Sequence, residues 1–502
     1  MLSDATLLLT AIAIPAAAIF VIIALGSRPN LRDAASVLAS LITFAVVLQL
    51  LGRVMDGARP AVTLLEVMPG LVLGFAIEPL GMLFAAVASG LWIVTAIYSI
   101  GYMRGAGEKN QTRFYTYFAL AIAAALGIAF SGNLFTLFIF YEALTISTYP
   151  LVAHKETPEA RAGARTYLAI LMTTSILFFL TAVVWTWNIA GTLDFRAGGI
   201  LEGRIDPALV PFLLALFAFG IGKAALMPFH RWLPAAMVAP TPVSALLHAV
   251  AVVKAGVFTM LKVGTYIFGI GFLGKTGASE WLMWLAAATV LIASIVALTK
   301  DDLKARLAYS TVSQLAYITL GMALANQMGL IGGAMHIVMH AMGKITLFMC
   351  AGAIYVAAHK TKISQMDGLG RKMPVTFIAF TLASLSIIGL PPFGGLWSKW
   401  FLVLGAADAG QLTIIVVLML SSLLNVAYLL SVPARAFFIP PRVSGAWSLG
   451  VAAAPDDKIQ EAPFLCLLPI CITALGCIVL FFAVGGLYEY LLSIPILPEI
   501  AP

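Results

Sequence analysis

The chain has 502 residues, of which 62% are hydrophobic and only 10% are charged. Soluble domains carry about 25% charged residues, so this composition excludes a soluble globular protein, and its high hydrophobicity excludes intrinsic disorder. The net charge of +7 is typical of basic cytoplasmic loops in a membrane protein and does not indicate a nucleic-acid partner. Long unbroken apolar runs predict membrane-spanning helices, because a barrel would show short alternating segments.

Fourteen apolar segments are long enough to cross a lipid bilayer, for which a helix needs about 20 residues. The chain is therefore predicted to be an all-α polytopic membrane protein. The first segment has no Lys or Arg before Arg28, so we predict a retained helix and not a secretory signal. The segments lie near 4–26, 33–53, 79–103, 113–131, 133–152, 163–188, 208–227, 240–267, 281–299, 305–325, 329–357, 374–400, 411–438 and 463–491.

The basic residues of the loops predict the orientation of the chain. With the N-terminus outside, the inward loops contain 19 Lys and Arg and the outward loops contain 5. Basic residues collect on the cytoplasmic side of membrane proteins. We therefore predict that both termini lie on the outer side.

No part of the chain is predicted to form a soluble domain. The longest polar stretch, about 440–462, is too short to bury a core. The sequence contains no GxGxxG, P-loop, CxxC or HExxH motif, and its four cysteines match no metal or redox spacing. We therefore predict no cofactor and no metal ion. The cysteines are Cys350, Cys466, Cys471 and Cys477.

Five lysines, three histidines and Glu142 fall inside the predicted spans, although each charge at the bilayer centre costs at least about 2.5 kcal/mol. One of them, Lys262, lies near a helix end, and we predict that its ammonium reaches the membrane surface. A single buried Lys or His can be a packing residue, but eight in one bundle are hard to explain by packing. The eight candidate site residues are Glu142, Lys223, His248, Lys254, His336, His340, Lys344 and Lys399.

Three of these residues are spaced four apart. His336, His340 and Lys344 share one stripe of a helix, with about 6 Å of rise between neighbours. Histidine exchanges protons near neutral pH, so such a row, bridged by water, can act as a proton wire. Two histidines four apart can also bind zinc, but no third ligand is evident and a lysine follows.

Proline interrupts two apolar segments at corresponding places. One interruption is Pro228-Phe229 near Trp232, and the other is Pro392-Phe393 near Trp397. Proline breaks helices, and paired broken helices mark the polar site between inverted repeats of a transporter. We predict helices 1–3 in 1–112, a first five-helix repeat in 113–267, a second in 281–438, and a cytoplasmic loop with the last helix in 439–502.

Several stretches resemble the antiporter-like proton-translocating subunits of respiratory complex I, membrane-bound hydrogenases and Mrp-type antiporters. They are KAALMPFHRWLPAAMVAPTPVSALLHAVAVVKAG, KARLAYST, MHIVMHAMGKITLFMCAGAI and GLPPFGGLWSKWFL. The resemblance covers about 70–440 and implies fourteen helices with two inverted repeats. It also implies that Glu142 pairs with Lys223, that His248, Lys254, His336, His340 and Lys344 form a relay, and that Lys399 is the terminal proton carrier.

The resemblance suggests a function and leaves alternatives open. Lys399 and the text HKETPEARAGARTYL are most similar to the D-type subunit of Mrp sodium/proton antiporters and to related hydrogenase subunits. A proton-pumping subunit of a redox complex, or of a proton-coupled inorganic carbon uptake complex, would use the same residues. The expected partners are other integral-membrane subunits, protons and sodium, in a bacterial inner membrane. The redox alternative would add an electron-transfer arm on other chains, and carbon uptake would add a soluble zinc protein. Any translocase activity would belong to the complex.

Overall fold

The computed structural model describes residues 3–440 and 458–495, and it confirms the predicted polytopic helical fold. Each predicted segment is a helix or a pair of helices. The helices are α1 Asp4–Ala24, α2 Pro29–Met55, α3 Pro79–Gly105, α4 Gln111–Ala129, α5 Leu134–Val152, α6 Pro158–Ala190, α7 Pro207–Gly220, α8 Thr241–Phe268, α9 Glu280–Thr299, α10 Leu303–Ala323, α11 Gln327–Ala358, α12 Pro374–Ile388, α13 Gly395–Asp408, α14 Leu412–Phe438, α15 Phe464–Phe482 and α16 Val484–Leu492.

Two strands between α2 and α3 were not predicted. Strands β1 (Ala61–Met68) and β2 (Leu71–Ala76) form an antiparallel hairpin. The hairpin lies against the α4–α5 turn, where the backbone N–H of Ala76 donates to the carbonyl of Phe130 (2.8 Å). We call this side of the molecule, with the α4–α5, α6–α7 and α8–α9 connections, the hairpin face. The opposite side, with the α3–α4, α5–α6, α9–α10 and α11–α12 connections, is the basic face.

Burial separates the helices at the centre of the bundle from those at its edge. The most apolar window of α8 is 100% buried and that of α11 is 89% buried, whereas those of α1, α6, α14 and α15 are only 33% buried. The edge helices expose leucine and isoleucine side chains, which suit lipid or another membrane subunit. The centre of the bundle is therefore the place where charged side chains are shielded from lipid.

Hydropathy alone underestimates the number of spans. Eleven helices of the described chain are long and apolar enough to cross a membrane. Helix α10 is not among them, because it carries Ser310, Thr311, Ser313 and Gln314, yet all four side chains are buried. The broken seventh and twelfth spans bring the number to the predicted fourteen.

Both predicted helix breaks contain their prolines, but the first begins earlier than predicted, because α7 ends at Gly220, eight residues before Pro228. After α7 the chain forms a short 3₁₀ turn, Gly222–Ala224, and continues through a cis Met227–Pro228 bond. Between α12 and α13 it passes a cis Pro391–Pro392 bond. The boundaries of the two inverted repeats remain a prediction.

Part of the last predicted region lies outside the described residues. The predicted cytoplasmic loop falls largely on 441–457, and the chain after 495 is also not described. Within the described part, α15 packs against α3, α11 and α12. The last span therefore lies against the centre of the bundle.

A buried histidine lies outside the spans, in the α5–α6 connection. Burial and the neighbouring Arg113 lower the pKa of His154 to about 4, below the value of about 6.5 of an unfolded chain. The contribution of neutral His154 to the free energy of unfolding is therefore fully present above about pH 6.5, and it is lost as the pH falls toward 4. We expect the Tm of the purified protein to fall by a few degrees on acidification, and His154→Gln to reduce that fall. An unchanged fall in the variant would contradict the assignment.

Candidate functional site

The break of the seventh span presents Lys223 to α5. The Lys223 side chain is fully buried. Its ammonium donates hydrogen bonds to the carbonyl of Tyr141 (2.8 Å) and to Oγ1 of Thr145 (2.6 Å), and it lies 3.1 Å from the centre of the Tyr141 ring. The turn thus holds a charged group against a carbonyl, a hydroxyl and an aromatic face.

The structure places Glu142 on the same helix but not in direct contact with Lys223. Both carboxylate oxygens of Glu142 are buried and have no hydrogen-bond partner among the described residues. Glu142 is close enough to act electrostatically on Lys223. The resemblance left open whether the two side chains touch, and in the structure they form no direct ion pair, because the ammonium is bound by neighbouring residues of α5.

Close backbone contacts fix the position of the turn. A Cβ atom added at Gly256 of α8 would lie 2.3 Å from the backbone nitrogen of Ala224 and 2.3 Å from the carbonyl carbon of Lys223. On the other side, the indole N–H of Trp232 donates to the carbonyl of Gly222 (2.9 Å). Only glycine at 256 lets α8 approach the turn this closely.

The central helices bring three further candidates together. Nζ of Lys254 on α8 lies 2.5 Å from Nδ1 of His340 on α11. The His340 ring stacks on that of His336, with centroids 5.8 Å apart, and Nδ1 of His336 lies 2.8 Å from Oγ of Ser398. A row of polar side chains therefore runs from α8 across α11 to α13.

Lys344 leaves the predicted stripe and contacts α10. Its ammonium donates to Oγ of Ser310 (2.5 Å), which in turn accepts a hydrogen bond from the hydroxyl of Tyr428 (2.9 Å). His248 lies within a π-helical turn of α8, Leu246–Val250, and its ring centre is 4.4 Å from that of Phe348. The structure thus forms a second polar branch beside the Lys254–His340 contact.

Lys399 ends the row near the edge of the bundle. Its ammonium donates to the carbonyl of Ile388 (2.9 Å) and to Oγ of Ser422 on α14 (3.0 Å). The ring of Tyr317 connects it to the histidines, because its centre is 5.1 Å from that ammonium and 5.5 Å from the His336 ring. Lys399 is 7% exposed, whereas Lys254 and Lys344 are fully buried.

Several atoms of this row lack a hydrogen-bond partner among the described residues. They include both ring nitrogens of His248, Nε2 of His336 and of His340, and both amide atoms of Gln314. Buried polar atoms nearly always have a partner, either protein or ordered water. The row therefore offers positions for internal water between its side chains.

A cavity of about 150 Å³ opens on the basic face above this row. Its lining includes Thr241 of α8, Leu303 of α10 and Ala351 of α11. Each lies seven residues from a residue of the second polar branch on the same helix, namely His248, Ser310 and Lys344. Seven residues are about two helical turns, or about 10 Å, on nearly the same helix face. The cavity is thus aligned with the polar branch beneath it.

The prediction for Lys262 is wrong. Its side chain is fully buried within the protein, so its ammonium is not exposed. It forms an ion pair with Glu78 (Nζ to Oε1, 3.0 Å) and donates to the carbonyl of Ser131 (2.8 Å). The carboxylate of Glu78 at the start of α3 thus neutralises the lysine inside the protein, so its charge does not need contact with water.

The sequence reasoning missed the uncharged polar residues near the charged ones. Ser310, Gln314 and Tyr317 follow one face of α10 at spacings of four and three, which was a detectable signal in an apolar helix. Thr145 and Ser422 had no such signal. The described residues contain no group of three or more His, Cys, Asp or Glu that could hold a metal ion.

Comparison with known proteins places these features in context. Residues 131–425 match the family model described as "NADH:quinone oxidoreductase/Mrp antiporter, TM". A NADH-quinone oxidoreductase subunit N from Desulforudis audaxviator is 34% identical over 80% of this chain and 81% of its own length. The NAD(P)H-quinone oxidoreductase chain 5 of a Picosynechococcus species is 31% identical over 66% of this chain, which spans only 50% of that relative. A chain in the structure of the Mrp complex from a Dietzia species has the same fold, with a TM-score of 0.85, 22% identity, and coverage of 99% of this chain and 97% of that one.

Proposed function

The chain belongs to the NADH:quinone oxidoreductase/Mrp antiporter family, and from that premise we propose that it moves protons within a multisubunit sodium/proton antiporter of the Mrp type. The single observation that supports this most strongly is the buried row from Lys254 through His340 and His336 to Lys399. Structural ion pairs satisfy buried charges with opposite charges, whereas the lysines and histidines of this row are all basic. Ionisable side chains buried within membrane spans are typical of proton relays.

We propose the following roles for the candidate residues. Lys223 holds a proton on the carbonyl of Tyr141 and on Thr145, and the unpaired carboxylate of Glu142 stabilises that charge from nearby. An increase in the distance between Glu142 and Lys223 would make the lysine release its proton, since a nearby carboxylate favours the ammonium form. Glu142 thus controls whether Lys223 carries its proton.

The released proton would continue along the central row. Lys254 and His340 are within hydrogen-bond distance, so a proton can pass directly between them. The free Nε2 atoms of His340 and His336 lead on, through water, toward Tyr317 and Lys399. We propose that the cavity above His248, Ser310 and Lys344 connects this row to the basic face.

Sodium would be exchanged elsewhere in the complex. The row carries basic side chains, which repel a cation, and sodium prefers oxygen ligands such as carboxylates. The described residues offer no acidic cluster along this row. We therefore assign only protons to this chain, and we place sodium transport in other membrane subunits.

A redox-driven proton pump is the second candidate. The relatives named NADH-quinone oxidoreductase subunit N and NAD(P)H-quinone oxidoreductase chain 5 favour it. The same relay would then be driven by electron transfer in other chains. We propose for either function a bacterial inner membrane with the basic face toward the cytoplasm and both termini outside, because 19 of the loop Lys and Arg residues fall on that face by sequence.

Identification of the partner chains separates these functions. The native complex should be purified in mild detergent, and every copurifying chain identified by mass spectrometry. Small hydrophobic subunits and a second, larger antiporter-like chain would support the Mrp-type function. Iron–sulfur or quinone-binding subunits would replace it with a redox pump, and a carbonic-anhydrase-like chain would indicate inorganic carbon uptake.

The Lys254–His340 contact gives a test of the relay itself. We expect His340→Asn to lower proton transport by about 10-fold or more, since a positioned proton-transfer group contributes about 10²–10⁴-fold and water can replace part of it. His359→Asn is the matched control, because His359 is exposed after the end of α11 and asparagine tolerates its positive φ of 52°. Equal transport in both variants, measured with a pH-sensitive dye in vesicles, would remove His340 from the relay.

A further inference from the structure

We propose that Lys262 and Glu78 form a lock that closes the hairpin-face end of α8 to protons. The proposal rests on the proposed function, because it assumes that protons reach Lys254 on the same helix. Lys262 lies eight residues after Lys254, or about 12 Å along the helix axis. A proton at Lys254 would therefore need only a short water path to leave at the hairpin face.

The hydrogen bonds of Glu78 distinguish it from the relay residues. Its Oε2 accepts from the backbone N–H of Leu80 (2.7 Å) and from the hydroxyl of Tyr266 (2.9 Å). Its Oε1 accepts from the backbone N–H of Gly81 (2.9 Å) and pairs with Lys262 (3.0 Å). Each oxygen thus has two donors, so the carboxylate has little capacity left to accept a travelling proton.

The ammonium of Lys262 is also surrounded by partners. Its ammonium contacts Glu78 and the carbonyl of Ser131, and the rings of Phe195 and Phe258 lie 4.4 and 5.3 Å from it. By contrast, Glu142, His248, His336 and His340 all carry buried polar atoms without a protein partner. Saturated partners fix a charge in place, whereas open positions allow water and proton exchange.

The surrounding backbone packs closely beside the lock. A Cβ atom at Gly81 would lie 2.3 Å from the carbonyl oxygen of Ala129, and one at Gly199 would lie 2.5 Å from the backbone of Phe268. The backbone at the start of α3 is therefore in close contact with the end of α4, and the α6–α7 connection is in close contact with the end of α8. Between Lys254 and the lock, Val257, Phe258 and Leu261 are fully buried.

The lock explains why an ion pair lies where an apolar plug would suffice for stability. A buried ion pair is rarely more stable than apolar residues of the same volume. A fixed ammonium additionally repels a hydronium ion that approaches from Lys254, while Glu78 holds the ammonium in position. Protons are thereby directed along the row toward Lys399 instead of leaving from α8.

Passive proton leakage tests the lock. The whole complex containing Lys262→Met should be reconstituted into vesicles without any driving substrate, and a potassium diffusion potential should be imposed while a trapped dye reports the internal pH. We expect a several-fold faster leak than in the wild type. Lys262→Arg should remain tight and transport-competent, because a guanidinium keeps the charge and the contact with Glu78.

Other results would overturn the lock. If Lys262→Met and Lys262→Arg both lose transport without leaking, Lys262 is a proton carrier. If both stay tight and active, the pair only packs the helices. Should Lys262→Met fail to assemble, Tyr266→Phe removes a single hydrogen bond to Glu78 and should still increase the leak, and a tight Tyr266→Phe would overturn the proposal. Because leakage needs no active transport, this outcome is independent of whether Lys223 carries protons.

Discussion

Replacement of Lys223 by Ala is expected to lower proton transport by about 100-fold or more, the range that a positioned proton-transfer group contributes. The substitution removes the only ammonium that the broken seventh span presents to α5 among the described residues. The complex should still assemble, since the backbone contacts of the turn to Gly256 and Trp232 remain. Transport is measured in inverted vesicles, and assembly by the amount of complex recovered in mild detergent.

Two further variants make the Lys223 result specific. Lys223→Arg should also lose most transport, because a guanidinium keeps its proton, although it preserves the positive charge. Lys275→Ala should have no effect, since Lys275 is 71% exposed and its ion pair with Glu202 lies on the hairpin face. Full transport by an assembled Lys223→Ala complex would contradict the role of this lysine in proton transfer.

Gly256→Ala is expected to abolish transport although no ionisable residue is changed. The added Cβ would lie 2.3 Å from the backbone of Lys223 and of Ala224, and backbone atoms cannot move aside as a side-chain tip can. The turn must shift away from α8, which displaces the Lys223 ammonium from Tyr141 and Thr145. Overpacking of this kind costs about 1–3 kcal/mol or more, so we also expect less of the complex to be recovered.

Gly52→Ala is the matched control for Gly256→Ala. Gly52 lies in the exposed last turn of α2, where an added Cβ would meet nothing within 4 Å. Alanine favours a helix over glycine by about 0.5–1 kcal/mol, so this variant should assemble and transport normally. Normal transport in Gly256→Ala would show that the close approach of α8 does not position Lys223.

Sequence patterns were sufficient for the spans and the breaks because both depend on local chemistry. A run of about 20 apolar residues must become a helix in lipid, and the prolines at 228 and 391–392 favour an interruption because each removes a backbone donor. The same apolar runs predicted that the eight candidate site residues lie inside the spans, and the structure places all of them within the bundle. Their roles as a relay remain a prediction.

What the sequence could not show depends on contacts between distant segments. Lys262 looked like a residue at a helix end, but Glu78 at the start of α3 reaches it through the fold. The resemblance associated Glu142 with Lys223 but could not show whether they touch, and in the structure the carbonyl of Tyr141 and the hydroxyl of Thr145 bind the ammonium. The hairpin was missed because its strands are shorter than the apolar runs that predict spans.

The complete burial of α8 has a consequence for how the protein is synthesised. This helix carries His248, Lys254 and Lys262, and each lysine alone costs about 2.5–3.5 kcal/mol at the centre of an isolated span. Helix α8 therefore gains little by leaving the translocon into lipid before its neighbours are present. Glu78 and Ser131 precede it in the chain and can receive Lys262 at once, whereas His340 is added only later. Insertion and packing of this helix are thus expected to occur together, in an order set by the positions of its partners along the chain.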